Sequence, residues 1–268
     1  MKPTRISKRF DALRKDGKKG FIAYITAGDP GLKQTVDIVR RLEDAGADLI
    51  ELGVPFSDPL ADGPANQLAA ERALSAGTSM KGILDAVNEI REKSEIPLLF
   101  FSYMNPLYAH GFEKTIKRAA KAGIDGVLMV DISMEESGPY SDILEANNLD
   151  HVPLVTPTTP DQRMKQIVRT ASGFVYAVSR TGVTGEQTEL QKDASAVLRK
   201  ANRHSTLPVA LGFGISTPKQ ARSYAELTDA VVVGSHIVTT FFKAGNSARG
   251  RAAATREIKK LIDAVKQV

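Results

Sequence analysis

The segment Asp48-Leu-Ile-Glu-Leu-Gly-Val-Pro-Phe-Ser-Asp-Pro-Leu-Ala-Asp-Gly-Pro64 shows the unit from which the fold of the whole chain can be predicted. It begins as a short apolar strand and continues into a loop rich in proline, glycine and acidic residues. Proline fixes φ and removes a backbone donor, so the second half cannot continue as a strand or a helix. The amphipathic stretch that follows completes a strand–loop–helix unit, which the rest of the chain repeats.

Eight apolar runs alternate with longer amphipathic runs along the sequence. The predicted strands are Phe21–Thr26, Asp48–Leu52, Pro97–Tyr103, Gly126–Val130, Val152–Val155, Phe174–Ser179, Pro208–Gly212 and Ala230–Gly234. The predicted helices between them are Lys33–Ala45, Asn66–Leu74, Met80–Glu92, Glu113–Ala122, Met134–Ala146, Asp161–Thr170, Ala194–Arg203 and Lys219–Tyr224. Continuous apolar strands separated by helices are typical of a parallel sheet that helices cover.

This pattern predicts an α/β protein, a (β/α)8 TIM barrel that forms a single domain over residues 1–268. An extra N-terminal helix over residues 4–15 precedes the first strand, and a C-terminal closing helix covers residues 249–266. A doubly wound open sheet is the alternative, but eight regular units favour closure. Active sites of such barrels form from the loops at the C-terminal strand ends, and the loops after strands two and six are the longest.

Positive charge is concentrated at the two ends of the chain. Residues 1–20 carry eight Lys/Arg against two Asp, residues 249–268 carry six against two acids, and the remainder carries 22 against 27. The net charge of +5 therefore indicates solvated faces of terminal helices more than a nucleic-acid surface. No apolar run approaches the roughly 20 residues of a membrane span, so we expect neither nucleic acid nor membrane as a partner.

Cysteine is absent, which excludes disulfides and thiolate chemistry and fits a cytoplasmic protein. The N-terminus also lacks the apolar core of a secretory signal. The four histidines show no spacing typical of a metal site, so we expect no metal.

Three carboxylates of the quoted segment and one tyrosine are candidates for chemistry. Glu51 lies near the end of strand two, where partial desolvation would raise its pKa towards a useful acid–base range, although a strand-end salt bridge is the alternative. Asp62 and Asp58 lie in turns, where aspartate is common for local hydrogen-bonding reasons. Tyr176 lies mid-strand, where an aromatic residue is ordinarily core, but its buried hydroxyl needs a partner.

Glycines at the ends of strands seven and eight predict a phosphate site. Gly212-Phe-Gly214 follows strand seven, and Gly234-Ser235 follows strand eight. Barrels often bind a substrate phosphate where these two loops meet a helix N-terminus, and Ser235 can both donate its hydroxyl and serve as N-cap. No nucleotide-binding glycine motif is present.

These motifs together resemble the α subunit of tryptophan synthase. The matching segments are Phe21 to Pro30, Ile50 to Pro64, Tyr176 to Gly185, Gly212 to Ser216, and Gly234-Ser235. The resemblance extends over essentially the whole chain. It implies a TIM-barrel lyase of tryptophan biosynthesis that cleaves indole-3-glycerol phosphate to indole and glyceraldehyde 3-phosphate. It also implies a pyridoxal-phosphate β subunit as partner in an α2β2 assembly, with no cofactor on the α chain itself.

Carried over position by position, the resemblance gives Glu51 the role of general acid and base, with Asp62 as second catalytic carboxylate and Tyr176 as an active-site tyrosine. It assigns the phosphate to Gly185, Gly214, Gly234 and Ser235. It assigns the indole pocket to Phe21, Phe101, Tyr103 and Phe213. It also implies that Thr184 meets loop two on closure and that Asp58 faces the β subunit.

The chain departs from the family pattern at Asn66, where an apolar residue is usual, and at Phe101 and Met104.

Two other functions stay open on the sequence alone. One is a phosphate-binding allosteric subunit that activates its β partner without catalysis, and the other is a stand-alone lyase that releases free indole. Another phosphate-binding barrel, such as an isomerase of amino-acid synthesis, would fit the fold but not the loop-two motif.

Overall fold

The computed structural model describes residues 2–178, 187–212 and 214–268, except for the side chains of residues 187–193. Its strands are β1 (Gly20–Thr26), β2 (Leu49–Gly53), β3 (Leu98–Ser102), β4 (Gly126–Met129), β5 (Asp150–His151), β6 (Leu154–Val155), β7 (Val175–Val178), β8 (Val209–Gly212) and β9 (Ala230–Val233). Its helices are α1 (Arg5–Lys15), α2 (Leu32–Asp44), α3 (Pro64–Ser75), α4 (Met80–Arg91), α5 (Met104–Tyr108), α6 (Phe112–Ala122), α7 (Met134–Ala146), α8 (Asp161–Arg169), α9 (Gln187–His204), α10 (Pro218–Ala225), α11 (Ser235–Ala244) and α12 (Ala248–Lys266).

The strands form one parallel sheet in the order β5-β4-β3-β2-β1-β9-β8-β7-β6. The two edge strands are pieces of a single segment, since only Val152 and Pro153 separate them. On one side the Val152 N–H donates to the carbonyl of Val127 at 3.1 Å, and on the other the Tyr176 N–H donates to the carbonyl of Pro153 at 3.0 Å. Segment 150–155 therefore joins both edges of the sheet, and the barrel closes.

The (β/α)8 prediction is confirmed, with three local differences. The predicted fifth strand, Val152–Val155, starts two residues earlier and is interrupted at Pro153, which has no N–H for the ladder. Helices α5 and α11 were not among the predicted helices. Helix α9 begins seven residues before the predicted start at Ala194.

Alternate residues of the strands face two different apolar layers. One layer fills the space between sheet and helices, and it includes Phe21, Ile50 and Leu52. The other fills the barrel interior, and it includes Ile22 and Leu49 from the same strands. Since side chains alternate across a strand, the parity of a position decides whether its side chain can reach the interior.

Helix α1 closes the N-terminal end of the barrel, which we call the floor. Its residues Ile6, Phe10 and Leu13 belong to the interior core, and the ring of Phe10 packs against that of Phe174 with centroids 5.5 Å apart. This contact buries the apolar face of a helix that precedes the first strand. Among the described residues, α1 therefore covers the N-terminal end of the interior.

Buried aspartates at the floor are paired with the basic terminal helices. Asp48, just before β2, accepts hydrogen bonds from Arg9 of α1, Lys266 of α12 and the Phe21 N–H. Asp125, just before β4, accepts from Arg5 at 3.0 Å and from Arg91 of α4 at 2.9 Å.

Part of the positive charge at the chain ends is thus neutralised within the molecule. Within the described ranges, no helix combines the length and the apolar character needed to cross a membrane.

Candidate active site

Glu51 carries a carboxyl group into the barrel interior at its C-terminal end, which we call the mouth. It lies on β2 two residues after the interior residue Leu49, so its side chain also faces the interior. It is 0% exposed, and neither of its carboxyl oxygens has a hydrogen-bond partner among the described residues. Burial raises the pKa of Glu51 to about 8, because a charged carboxylate would lose its hydration there.

Three aromatic side chains surround this carboxyl group. Phe101 of β3 packs edge-on against Tyr24 of β1 and Tyr176 of β7, with ring centroids 5.3 Å and 6.4 Å away. Burial raises the pKa of both tyrosines far above the ordinary value, and the charges of Glu51 and Asp62 add to this effect. Both phenols therefore stay protonated, and they can donate hydrogen bonds without supplying charge.

Two glycines make room for the tyrosine hydroxyls. A Cβ atom built on Gly53 would lie 2.2 Å from the Tyr24 hydroxyl oxygen, and one built on Gly212 would lie 2.3 Å from that of Tyr176. Any larger residue would have to displace the phenol, since real Cβ atoms do not approach so closely. The two glycines thus leave, at the strand ends, the space that the hydroxyl groups of Tyr24 and Tyr176 occupy.

The loop after β2, residues 54–63, folds over the mouth and brings Asp62 to it. The Tyr103 hydroxyl donates to the Asp62 carboxylate at 3.0 Å and accepts the Ala61 N–H at 2.9 Å. Burial raises the pKa of Asp62, whereas the hydrogen bond from Tyr103 opposes the shift. One phenol therefore fixes both the backbone of the loop and the carboxylate that the loop carries.

The N-terminus of α11 lies beside the same mouth. Gly234 is its N-cap, and a Cβ atom there would contact the Tyr24 ring at 3.4 Å. Ser235 is the exposed first helical residue, and Gly214 lies in the loop between β8 and α10 with φ +73°. The first amides of a helix have no partner within it, so they present N–H groups to an anion.

The structure brings together most of the predicted site residues that it describes. Glu51, Asp62, Tyr176, Phe101 and Tyr103 meet at the mouth. Gly234 and Ser235 start the adjacent helix, and Gly214 lies in the loop after β8. Thr184, Gly185 and Phe213 lie outside the described residues.

Phe21 was wrongly placed in the indole pocket. It is fully buried in the layer between sheet and helices, on the outer face of β1. Tyr24, three positions later and on the opposite face, is the β1 residue that reaches the site, and sequence reasoning missed it. Counting strand parity back from the loop would have found it.

The predicted N-cap role of Ser235 is also wrong. Gly234 occupies the cap position, and the cap has no side-chain hydrogen bond. The Ser235 hydroxyl is therefore not engaged in capping α11 and stays available to a ligand.

Asp58 is exposed in the loop, where it accepts a hydrogen bond from the Ser57 hydroxyl. In the described part of the chain, no group of three or more His, Asp or Glu side chains could hold a metal ion.

A family model for the tryptophan synthase alpha chain matches residues 10–267. The chain belongs to this family. Among its curated relatives, the tryptophan synthase alpha chain of Caldanaerobacter subterraneus subsp. tengcongensis is 44% identical over 264 residues, covering 98% of this chain and 99% of the relative. Members of the tryptophan synthase alpha chain family are lyases of tryptophan biosynthesis that cleave indole-3-glycerol phosphate, and this is the enzymatic role of the chain.

Solved structures of the tryptophan synthase alpha chain family have the same fold. The α subunit from Legionella pneumophila superposes with a TM-score of 0.91 at 32% identity, over 99% of this chain and 100% of that one. A chain from the tryptophan synthase α2β2 complex of Pyrococcus furiosus superposes with a TM-score of 0.85 at 35% identity, over 92% of this chain and 99% of that one.

Proposed function

We propose that Glu51 and Asp62 together carry out the cleavage of indole-3-glycerol phosphate, with Glu51 as the general acid. The observation that carries this proposal is the state of Glu51, which is fully buried and has no described hydrogen-bond partner. Because its pKa is raised to about 8, it holds a proton at neutral pH that is not engaged elsewhere. A carboxylic acid in this state is suited to protonating a carbon.

The reaction requires such a proton. Protonation of indole C3 converts the ring into an indolenine, and the bond from C3 to the glycerol carbon can then break in a retro-aldol step. The electron pair of that bond returns to the indole ring, while the glycerol hydroxyl loses its proton as the aldehyde forms. Glu51 gives the first proton, and its carboxylate then accepts the second, so the residue returns to its starting state.

Asp62 acts in the opposite protonation state. As an ionised carboxylate it accepts a hydrogen bond from the indole N–H, whose positive charge grows when C3 is protonated. The Tyr103 hydroxyl fixes the carboxylate at 3.0 Å, so its orientation is set before the substrate arrives. Tyr24, Phe101 and Tyr176 supply the aromatic walls for the indole ring, and Tyr176 also presents a hydroxyl near Glu51.

The phosphate of the substrate binds, in this proposal, at the N-terminus of α11. The free amides after Gly234 and the Ser235 hydroxyl are donors, and the helix end adds about half a positive charge. Gly214 lets the backbone of the loop after β8 approach the anion, because its φ of +73° suits glycine. Phe213, Gly185 and Thr184 keep the roles that the family resemblance gives them, in the pocket, at the phosphate and in loop closure.

A β subunit is the proposed partner, as in the α2β2 complex of Pyrococcus furiosus. Beside Asp58 the loop exposes Leu60 to 91%, and Tyr108 of α5 is 62% exposed. Next to Tyr108 lies a cleft of about 440 Å³ that Met104, Ile132 and Tyr140 help to line. An apolar surface on the loop that carries Asp62 would link partner binding to the site.

We further propose that the chain carries no cofactor of its own and takes pyridoxal phosphate chemistry from the β subunit alone. The barrel is proposed to form one domain over residues 1–268, since α1 shares the interior core. A cytoplasmic location fits a chain without cysteine.

The experiment is an indole-release assay on the purified chain, with and without its β subunit. We expect Glu51→Gln to lower kcat by about 10³-fold or more. Glu145→Gln, the same change at an exposed position of α7, should leave kcat unchanged.

Near-wild-type cleavage by Glu51→Gln would refute the role of Glu51. A wild-type chain that binds the substrate but releases no indole would instead be a non-catalytic activator. Turnover that the β subunit does not change would indicate a stand-alone lyase.

A further inference from the structure

A cavity of about 160 Å³ lies on the helix side of the sheet, between α7 and α8, and we call it the side cavity. Its apolar lining comes from both helices and from the chain around β4 and β6: Met129, Val130, Ile132, Met134, Pro153, Leu154 and Ile167. None of the described residues that line it belongs to the mouth. An apolar cavity of about 150 Å³ accommodates benzene, so the side cavity has the size for a small aromatic molecule.

His151 of β5 lines the side cavity and is 6% exposed. Its Nδ1 lies 2.9 Å from the Ser141 hydroxyl oxygen and 3.3 Å from the carbonyl oxygen of Thr170. The Ser141 hydroxyl donates its own proton to the Ser137 carbonyl, and a carbonyl only accepts, so Nδ1 carries the ring proton. Burial lowers the pKa of His151, which keeps the imidazole neutral at pH 7.

The other ring nitrogen of His151, Nε2, is therefore a hydrogen-bond acceptor. In the part of the chain that the structure describes, both hydrogen bonds of the ring are made at Nδ1, and none reaches Nε2. A buried acceptor without a partner is costly to the fold, and a donor from outside the chain would remove that cost.

The other polar groups around the side cavity are already engaged within the protein. Four hydroxyls are hydrogen-bonded to protein atoms: those of Ser133, Ser137, Thr159 and Thr170. The Arg163 guanidinium pairs with both carboxylate oxygens of Glu135, at 2.6 Å and 2.8 Å. The side cavity thus offers apolar walls and one unused acceptor, which suits an apolar ligand with one donor.

We propose that the side cavity is a second ligand site, in which a small planar aromatic molecule donates one N–H or O–H to Nε2 of His151. Indole has this chemistry, with an apolar bicyclic body and a single N–H, and it is the product that the lyase reaction releases. The chain would therefore bind its own product away from the mouth. This inference does not depend on the roles proposed for Glu51 and Asp62.

The first test is an NMR titration of the chain labelled with ¹³C at its methionine methyl groups, with indole as the probe. Met129 and Met134 line the side cavity, whereas none of the described mouth residues is a methionine. Both signals, assigned with Met129→Leu and Met134→Leu, should shift and saturate as indole is added. Met80 of α4 is the internal control and should not shift.

A second test asks whether the N–H of the ligand meets His151. Benzofuran has the shape of indole but no N–H, so it should bind the side cavity of the wild-type chain about fivefold more weakly. In His151→Phe, which keeps a ring but has no acceptor, indole and benzofuran should bind with equal affinity. His110→Phe, the same change at an exposed position, should keep the wild-type preference for indole. Indole bound at the mouth does not contact His151, so the comparison isolates this site.

A readout on the wild-type chain decides the matter if His151→Phe does not fold. In a chain labelled with ¹⁵N at histidine, the Nε2 signal of His151 should move when indole is added and stay in place with benzofuran.

Methyl signals of Met129 and Met134 that do not saturate up to the solubility limit of indole would overturn the site. The same preference for indole in His151→Phe as in wild type, or an Nε2 signal that indole does not move, would overturn the role of His151. Because indole is added and not made, a chain that releases no indole would refute the proposed function and leave these results unchanged.

Discussion

At the floor of the barrel, Asp48 is 3% exposed and accepts hydrogen bonds from Arg9, Lys266 and a backbone N–H. At the mouth, three residues further along the chain, Glu51 is 0% exposed and has no described partner. The two acids share one strand segment, the same burial and nearly the same chemistry. They differ in whether the surrounding residues compensate the cost of burying a charge.

This difference separates a structural acid from a reactive one. A buried carboxylate with basic partners joins chain segments, here α1, α12 and the start of β2. An unpaired one keeps its proton at neutral pH and can transfer it to a substrate. Burial alone therefore does not identify a catalytic acid, but burial without partners marks a site where stability has been given up.

The pH dependence of unfolding tests the contrast between Asp48 and Glu51 most directly. The pKa of Glu51 is about 8 in the folded chain, whereas an unfolded glutamate titrates near pH 4.5. Between these pH values the unfolded chain has lost this proton and the folded chain has kept it. The wild-type free energy of unfolding therefore falls as the pH rises through this range. Glu51→Gln cannot titrate. Its stability relative to wild type should therefore rise by roughly 3 to 4 kcal/mol from pH 5 to pH 8.

Urea denaturation at the two pH values measures this difference. Glu145→Gln, at an exposed position, should keep a constant difference from wild type. A Glu51→Gln chain whose relative stability does not change with pH would show that Glu51 is ionised in the folded protein.

Removal of the floor carboxylate should have the opposite effect. Asp48→Asn leaves Arg9 and the half-buried Lys266 without their counter-charge, and we expect the free energy of unfolding to fall by about 3 kcal/mol. The kcat for indole release should stay within about twofold of wild type, because the floor does not contact the mouth. Asp16→Asn, where the side chain is 58% exposed, is the control and should change stability by less than about 0.5 kcal/mol. A large loss of kcat in folded Asp48→Asn would break the distinction between the two ends.

A substitution at Asp62 tests the part of the mouth that the loop after β2 provides. Asp62→Asn keeps the shape of the side chain but cannot carry the charge that stabilises the protonated indole, so kcat should fall about 100-fold. Stability should change little, because the residue is only half buried and lies in a loop. Single-turnover indole release measures the effect, and a fall in substrate affinity without a fall in rate would contradict the proposed role.

The phosphate site allows a test in which stability and binding move in opposite directions. Ser235→Asp places a negative charge in the first turn of α11, where it favours the helix by a few tenths of a kcal/mol. The same charge repels the substrate phosphate, and KM should rise about tenfold. Ser235→Ala should raise KM less, because it removes only a hydroxyl donor. An unchanged KM in Ser235→Asp would place the phosphate elsewhere.

The fold could be predicted from sequence because eight strand–helix units repeat with regular spacing. Which residues of a strand point into the barrel interior could be predicted only where a polar residue interrupted the apolar run. In β2 the carboxyl group of Glu51 reveals which parity is inside, whereas β1 contains no ionisable group except the Tyr24 phenol and gives a weaker signal. Phe21 was assigned to the indole pocket from the family resemblance alone, and the pattern of β1 was not used to test that assignment, so Tyr24 was overlooked.

Other site features depend on three-dimensional contacts that local patterns do not encode. The double role of Tyr103 needs the loop to fold back over β3, and the hydrogen bond from Gln67 to the Asp62 carbonyl needs the first turn of α3 to follow directly. The turn preference of Asp62 was visible in the sequence, but its partners were not. Family resemblance, and not local propensity, placed it in the site.

The interruption at Pro153 shortens the hydrogen-bond ladders on both sides of segment 150–155. Among the described residues, two pairs join β4 to β5 and two join β6 to β7, whereas five join β1 to β2. The free energy needed to part neighbouring strands should be lowest where the ladder is shortest, and that place borders Tyr176. We therefore expect amide hydrogen exchange to be faster at these two short ladders than at the ladder between β1 and β2.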